Sequence, residues 1–365
     1  MKKIAVFFGG KSLEHDVSVI TGVLTLNSVK GKYEPVPIFV SRDGVFYTGE
    51  ELFDIGFFRD GVMTKKLTAV TLIPGDNRLY GIKKSKLKPL FSISCAVNCM
   101  HGENGEDGVI SALLKLSDVA FCSPKMFASA VCMDKGFLKT YLNGLKIKTV
   151  KGVVLDAVSG AEEKIKGLSF PLILKPCNAG SSIGIETARK KEELRPALLR
   201  AMKYDGRVLV EEFIENATEI NCAAFKGKEG KIYVSLCEKP KKSGDLLSFS
   251  DKYENGSREF PAKIDDALSE KIRKTTEKIY LGLDASGVIR VDFLVKDGVG
   301  FVNEVNAVPG SLAYYLFADS PEGLSDMLSE MIERAELEFS KESTKIKSFK
   351  SGILSGLGAK GGKRL

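Results

Sequence analysis

The chain has no tryptophan and only two histidines among its 365 residues. It also lacks any apolar run of about eighteen residues, so no transmembrane helix is expected. Without tryptophan, and with no aromatics interleaved among its basic runs, it lacks the stacking surface of a nucleic-acid protein. The seven cysteines are odd in number and scattered through apolar segments. Cys95 and Cys99 lie four apart, yet no second pair and no histidine cluster completes a zinc pattern, so buried thiols of a cytoplasmic protein are expected. No internal repeat is present, and no GKS/T follows a GxxxxG spacing, which excludes a Walker A loop. The N-terminus, MKKIAVFFGGKSLEHD, has an apolar run but no small-residue cleavage site, and reads as a first buried strand and turn.

Hydrophobic residues make up 44% and charged residues 28% of the chain, the proportions of a globular protein long enough for two or three cores. The net charge of +7 gathers at residues 83–88, 239–242 and 341–364. Solvated surface is the ordinary reading of such runs, and attraction of an anionic substrate the functional one.

Periodicity predicts a strand over residues 3–8, a Gly9-Gly10 turn and a helix over 16–29. A second strand over 33–40, strands and turns over 41–90, and a buried strand over 91–97 follow. The glycine-rich MHGENGEDG loop then leads into a helix over 106–117. This alternation is an α/β pattern, and residues 1–122 form one unit. Ser123 and Pro124 open a helix running through residue 144. Strands over 147–154 and 171–176 and helices over 161–166 and 191–203 make a central unit, 123–206. A third unit, 207–340, holds strands over 207–214, 219–225 and 231–238, a helix over 265–281, a hairpin, and an amphipathic helix over 325–339. A basic tail, 341–365, closes the chain.

The hairpin, IRVDFLVKDGVGFVNEVNAVPG, carries the densest chemistry. Arg290 and Asp292 are two apart on one strand, and Glu304 and Asn306 two apart on the other, so each pair shares a face. The Asp-Gly turn between them brings both pairs together. Three hard oxygen ligands suit Mg²⁺, whereas a half-exposed hairpin with ordinary surface charges explains the same residues equally well. In LILKPCNAGSSIG, Lys175 ends a strand before a glycine- and serine-rich turn that could cradle phosphate through its N–H groups, or be a flexible turn. VLVEEFI holds Glu211 in an apolar strand able to read adenine with its backbone and a carboxylate, although a surface strand end explains it as well. Glu219 is a second carboxylate for ribose hydroxyls. His15 and His101 both fall in glycine loops at strand ends of one sheet, the edge where ligands bind, although a lone histidine is usually structural.

Taken in order, GGKSLEHDVS, HGENGEDG, the MDK helix, LILKPCNAGSSIG, EEFI with its following glutamate, DKY, IRVDF and NEVNAVPG resemble the D-alanine–D-alanine ligases of the ATP-grasp superfamily. The resemblance covers residues 1 to about 335. It implies a three-domain α/β architecture, α+β in its C-terminal part, with ATP held between the last two domains. It implies that Lys135, Lys175, Ser181 and Ser182 meet the ATP phosphates. Glu211, Phe213, Ile214, Glu219 and Leu294 would hold adenine and ribose. Asp292, Glu304 and Asn306 would hold two Mg²⁺, with Mn²⁺ as an alternative. Glu14 would bind the first D-alanine's ammonium, Ser181 and Tyr253 would join Glu14 in the network supporting the active-site loop, and His101 would lie by the second amino acid. Lys252, Arg290 and the Gly310 backbone would stabilise the transferred phosphate and the tetrahedral intermediate. A loop over 245–253 would exclude water. A cytoplasmic homodimer acting on small molecules, with no membrane or nucleic-acid partner, is the implied setting.

Three departures from the family pattern stand out. Where the family has a serine for the second amino acid's carboxylate, this chain has Tyr315, within SLAYYLF. The loop before DKY is short and lacks the usual aromatic cluster, and Ser111-Ala112 replaces Gln-Gly. Beside D-alanyl-D-alanine synthesis, two readings therefore stay open: a ligase with another acceptor (D-serine, D-lactate or a different amino acid), and a silent nucleotide-binding paralogue.

Overall fold

The computed structural model describes residues 1–241 and 258–356. The KIAVFFG run is buried on both faces, with Ile4 through Phe8 wholly inaccessible, and it becomes the central strand β1 (Lys3–Gly9). It is followed by α1 (His15–Val29), β2 (Glu34–Val40), β3 (Phe46–Thr48), α2 (Ile55–Arg59), β4 (Thr68–Ile73), β5 (Asp76–Lys83), β6 (Lys86–Ser92), β7 (Cys95–Asn98), α3 (Val109–Leu116) and β8 (Ala120–Phe121). One eight-stranded sheet results, in the order β6-β5-β4-β3-β2-β1-β7-β8. β1 is parallel to β2 and β7, and β7 to β8, while β3 to β6 extend the sheet antiparallel.

The apolar stretch expected as one strand over 91–97 serves two. Residues 91 and 92 finish the β5–β6 hairpin, the chain turns at Ile93 and Ser94, and β7 then joins β1. The helix expected from residue 106 starts at Val109, because Glu106 and Asp107 accept loop N–H groups from Gly102, Asn104 and Val109 instead of entering a helix.

The second part comprises α4 (Met126–Met133), α5 (Lys135–Gly144), β9 (Gly152–Leu155), α6 (Ala161–Lys164), β10 (Leu172–Pro176), β11 (Glu186–Ala188), α7 (Lys191–Ala201) and β12 (Val208–Glu212). The single helix expected over 123–144 is two. Asp134 is extended, and its carboxylate accepts from Gly136 and Phe137 N–H, so it caps a new helix in mid-sequence. Ser123 does not cap the first; its hydroxyl has no partner among the described residues. The four strands order as β11-β10-β12-β9. β12 pairs with both β10 and β9, so the boundary expected at residue 207 falls inside a sheet.

The third part runs through β13 (Thr218–Lys226), β14 (Ile232–Val234), the short β15 (Lys239–Pro240) and β16 (Arg258–Glu259), α8 (Asp266–Gly282), β17 (Val288–Lys296), β18 (Val299–Asn306) and α9 (Pro321–Ser343). Its sheet orders as β14-β13-β17-β18. α8 lays Ile272, Thr276 and Ile279 on one face of it. α9 instead returns to the first sheet: Leu324, Leu328 and Ile332 are fully buried in a cluster with Ile4, Phe8 and Val19. Each such side chain contributes roughly 1.5–3 kcal/mol, so α9 locks the third part to the first. Beyond it, residues 344–355 are exposed. Among the described residues no helix is long and apolar enough to cross a membrane.

Candidate active site

Two adjoining cavities lie between the three parts, one of about 440 Å³ and one of about 80 Å³. They share Lys135, Ala179, Gly180 and Glu304 as a common wall.

The smaller cavity lies between β10–β12 and the β17–β18 hairpin. Lys175 and Glu211, expected at the nucleotide, face each other across β10 and β12. Lys175 Nζ is 2.7 Å from Glu211 Oε2 and 2.7 Å from Asn303 Oδ1, and both charged residues are nearly inaccessible. Lys139 Nζ completes the cluster 2.6 Å from Glu211 Oε1. Burial alone would raise the Glu211 carboxyl's pKa, but the two ammoniums prevail and hold it below the usual carboxylate range. Phe213, Ile214, Glu219 and Leu294 line the same cavity, as do Ser182 and Asp292. Lys135 Nζ donates to Ala179 O at 2.6 Å, which ties the start of α5 to the glycine loop. Ser181 and Ser182 both take left-handed backbone angles, with φ of 50° and 61°. That turn carries the loop back over the cavity.

In the hairpin, Asp297 and Gly298 have positive φ (50° and 71°), the signature of a tight primed turn. It sets Arg290 opposite Asn306 and Asp292 opposite Glu304. Arg290 grips Asp292 with two parallel bonds, Nε to Oδ1 at 2.7 Å and Nη2 to Oδ2 at 2.8 Å, and Asn306 Nδ2 donates to Oδ2 at 3.0 Å. A bulge after Asp292 inserts Asn303 and turns it toward Lys175. Among the described residues no three His, Cys, Asp or Glu side chains form a metal cluster. The hairpin offers two carboxylates and an amide, a hard oxygen set that fits a Mg²⁺ taking its other ligands from phosphates and water.

The larger cavity adds Glu14, His101, Arg290, Gly310 and Tyr315. Ser181 donates its hydroxyl to Glu14 Oε1, linking the first part's glycine turn to the glycine- and serine-rich loop after β10. Residues 311–313 all have positive φ (49°, 52° and 49°), a strained left-handed turn costing about 1–2 kcal/mol per residue. It is held because the Ser311 N–H donates to Thr21 Oγ1 at 3.0 Å. The same Thr21 hydroxyl is hydrogen-bonded to His101 Nε2, 3.0 Å away. Burial lowers the His101 imidazole to about 4, so it is neutral at pH 7. Glu106 Oε1 accepts from Val308 N–H at 3.0 Å and Oε2 from Gly102 N–H at 2.9 Å. Burial, reinforced by the nearby Glu14, pushes the Glu106 carboxyl up to about 8.

Of the residues expected from sequence, Lys252 and Tyr253, with the loop 245–253, lie outside the described residues. The others line one cavity or both. His15 does not; its Nδ1 is bound to Gly10 O at 2.7 Å, a structural role in the turn. Sequence reasoning missed Thr21, Glu106, Lys139, Glu238, Arg258 and Asn303. Lys139 was within reach, four residues after Lys135 on one helix face. Glu106 stood in the quoted HGENGEDG loop. Nothing in the sequence marks the bulge that turns Asn303.

The fold and the paired cavities define an ATP-dependent ligase of the ATP-grasp class. The family model for the D-ala D-ala ligase N-terminus matches residues 3–124, and that for the C-terminus matches 145–333. The D-alanine–D-alanine ligase of Thermosipho melanesiensis is 34% identical over 97% of this chain and 98% of its own. The crystal structure of the Helicobacter pylori D-alanine–D-alanine ligase superposes with a TM-score of 0.75 at 30% identity, covering 92% of this chain and 98% of that one. The VanG D-Ala:D-Ser ligase of Enterococcus faecalis gives 0.74 at 27% identity, covering 93% and 98%. The chain belongs to the D-alanine–D-alanine ligase family.

Proposed function

We propose that this protein joins two D-alanine molecules into D-alanyl-D-alanine for peptidoglycan synthesis, releasing ADP and phosphate. The observation that carries the reading is the shared wall: Lys135 and Glu304 border both the nucleotide cavity and the amino-acid cavity. A phosphoryl group held there would reach a carboxylate in the larger space.

ATP would lie with its adenine and ribose against Glu211, Phe213, Ile214, Leu294 and Glu219. Its phosphates would meet Lys135, Lys175 and the 181–182 turn. Glu14 would hold the ammonium of the first D-alanine, directing its carboxylate to the γ-phosphate. A carboxylate is a poor electrophile, and phosphorylation converts it to an acyl phosphate. The second amine then attacks, phosphate leaves, and Arg290 with the Gly310 N–H stabilises the oxyanion. Asp292 preorganises Arg290 by occupying Nε and Nη2, so Nη1, whose one bond among the described residues is a long 3.4 Å contact to the Tyr315 hydroxyl, would turn to that charge. Asp292, Glu304 and Asn306 would hold Mg²⁺ (or Mn²⁺) at two sites. Bound metal supplies neutralisation of phosphate charge. Neutral His101 suits the neighbourhood of an amine, because a second cation there would repel an ammonium.

Three units, 1–122, 123–206 with β12 added, and the remainder to residue 340, would share this work, in a cytoplasmic homodimer with no nucleic-acid or membrane partner. An acceptor other than D-alanine is the second reading, raised by Tyr315 standing on the larger cavity's wall where the family has a serine. The test of both is phosphate release from ATP with D-alanine alone, then with D-serine or D-lactate added, each product being identified by mass. D-alanyl-D-alanine as main product supports the first reading. A mixed product dominating whenever the other acceptor is present supports the second. ATP binding without turnover on any acceptor would leave a silent paralogue.

A further inference from the structure

We infer that Arg258 reads the carboxylate of the acceptor amino acid and so takes the part that a serine plays elsewhere in the family. The inference rests on the proposed ligation and names a specificity residue for it.

Arg258 lies on β16 and borders the larger cavity together with Glu238, Arg290 and Tyr315. Its guanidinium lies against two aromatic rings. The carbon Cζ lies 4.6 Å from the centre of the Tyr315 ring and 5.3 Å from that of Phe260. It is fixed at one edge as well, because Nη1 donates to Tyr315 O at 3.2 Å and meets Glu238 Oε1 at 3.4 Å. Among the described residues all of its hydrogen bonds leave from Nη1, so Nε and Nη2 form a free edge. That edge is the planar two-donor fork that matches a carboxylate.

The other guanidinium of this cavity, Arg290, has its own fork closed on Asp292. The Tyr315 hydroxyl lies 3.4 Å from Arg290 Nη1, and its ring serves as the platform for Arg258. Tyr315 therefore does not replace the serine hydroxyl directly. It trades a neutral donor for a stacked cation, and the acceptor's carboxylate becomes the group that distinguishes a free amino acid from its amide or alcohol. Glu238, buried and bound to Asn221 Nδ2 at 3.2 Å, keeps the ring-held cation compensated when the cavity is empty.

The experiment offers the full-length enzyme ATP, D-alanine, and D-alaninamide at equal concentration with D-alanine. The amide has no carboxylate to activate, so it can only accept, and its product differs in mass from the dipeptide. The unmodified protein should favour the dipeptide by about a hundredfold, since losing a charge-assisted pair costs of that order. Arg258→Met should bring the product ratio to within about fivefold of unity. Arg258→Lys keeps the charge beside Glu238 but loses the fork, and should lower the ratio by about tenfold. It also covers the case in which Arg258→Met fails to fold. A ratio unchanged in whichever variants turn over would overturn the role of Arg258. Absence of any D-alanine product from the unmodified protein would instead overturn the proposed function on which the inference rests.

Discussion

Lys139→Met tests the electrostatics beside the smaller cavity at one buried group, Glu211. Glu211 is 3% exposed and is held between Lys139 and Lys175. Removing one ammonium leaves the carboxylate with a single cation, a milder change than stripping a buried charge of all partners. The cost at pH 7 is therefore about 1–3 kcal/mol, below the roughly 3–5 kcal/mol of a fully broken buried pair. The pH dependence is the sharper signature. The Glu211 carboxyl is depressed in the folded protein, so its contribution is present above the unfolded value near 4.5 and is lost as pH falls through the lower folded value. The variant raises that folded value, so the stability gap between the two proteins should be full at pH 7 and shrink as pH falls below about 4.5. Urea unfolding at pH 7 and near pH 4, with the KM for ATP at pH 7, measures both effects. KM should rise about tenfold as Glu211 is drawn toward Lys175. A gap under about 0.5 kcal/mol, or one that does not change with pH, would refute the reasoning.

Arg290→Ala should abolish turnover and, because it strips Asp292 of its buried partner, lower stability to urea by about 3–5 kcal/mol while unfolding stays cooperative. Glu304→Gln should abolish turnover with a folded protein; measurable product at a tenth of the normal rate in either would remove the assignment to phosphate and metal handling. Glu106 has a folded pKa raised to about 8, so its contribution is complete below about 4.5 and lost as pH rises through 8. Glu106→Gln should remove that alkaline loss, and thermal unfolding between pH 6 and pH 9 checks it. For His101, with its folded value lowered to about 4, the unfolded chain takes up a proton first, and stability should fall as pH drops from about 6.5 toward 4. Its imidazole C2–H resonance should stay at the neutral position down to about pH 5. Tyr315→Ser should change the KM for the acceptor more than that for ATP, because Tyr315 borders only the larger cavity.

The hairpin was legible because two local rules reinforce each other: period-two alternation sets the faces and an Asp-Gly turn sets the register. Lys175 and Glu211 could be singled out as charges inside apolar strands, although pairing two segments 36 residues apart is a tertiary fact. The larger cavity was harder to read. Thr21 is one polar residue on a helix buried nearly all round, so no amphipathic pattern distinguishes it. Glu106 resembled a favourable helix-terminal charge, and only the approach of Val308 from the third part reveals its second role. The break at Asp134 was hidden because residues 126–144 keep helical composition on both sides; a capping Asp inside such a run is the sole local signal. Arg258 matters through the rings that hold it, and Tyr315 lies 57 residues further along the chain.

The central claim is activation of one D-alanine carboxylate as an acyl phosphate in the space between Lys135, Glu304 and Arg290. The direct measurement uses D-alanine labelled with oxygen-18 in its carboxylate, with unlabelled ATP and water. One carboxylate oxygen should leave with the phosphate, so the released phosphate should carry a single heavy atom for each dipeptide formed. Dipeptide accompanied by unlabelled phosphate would contradict the account.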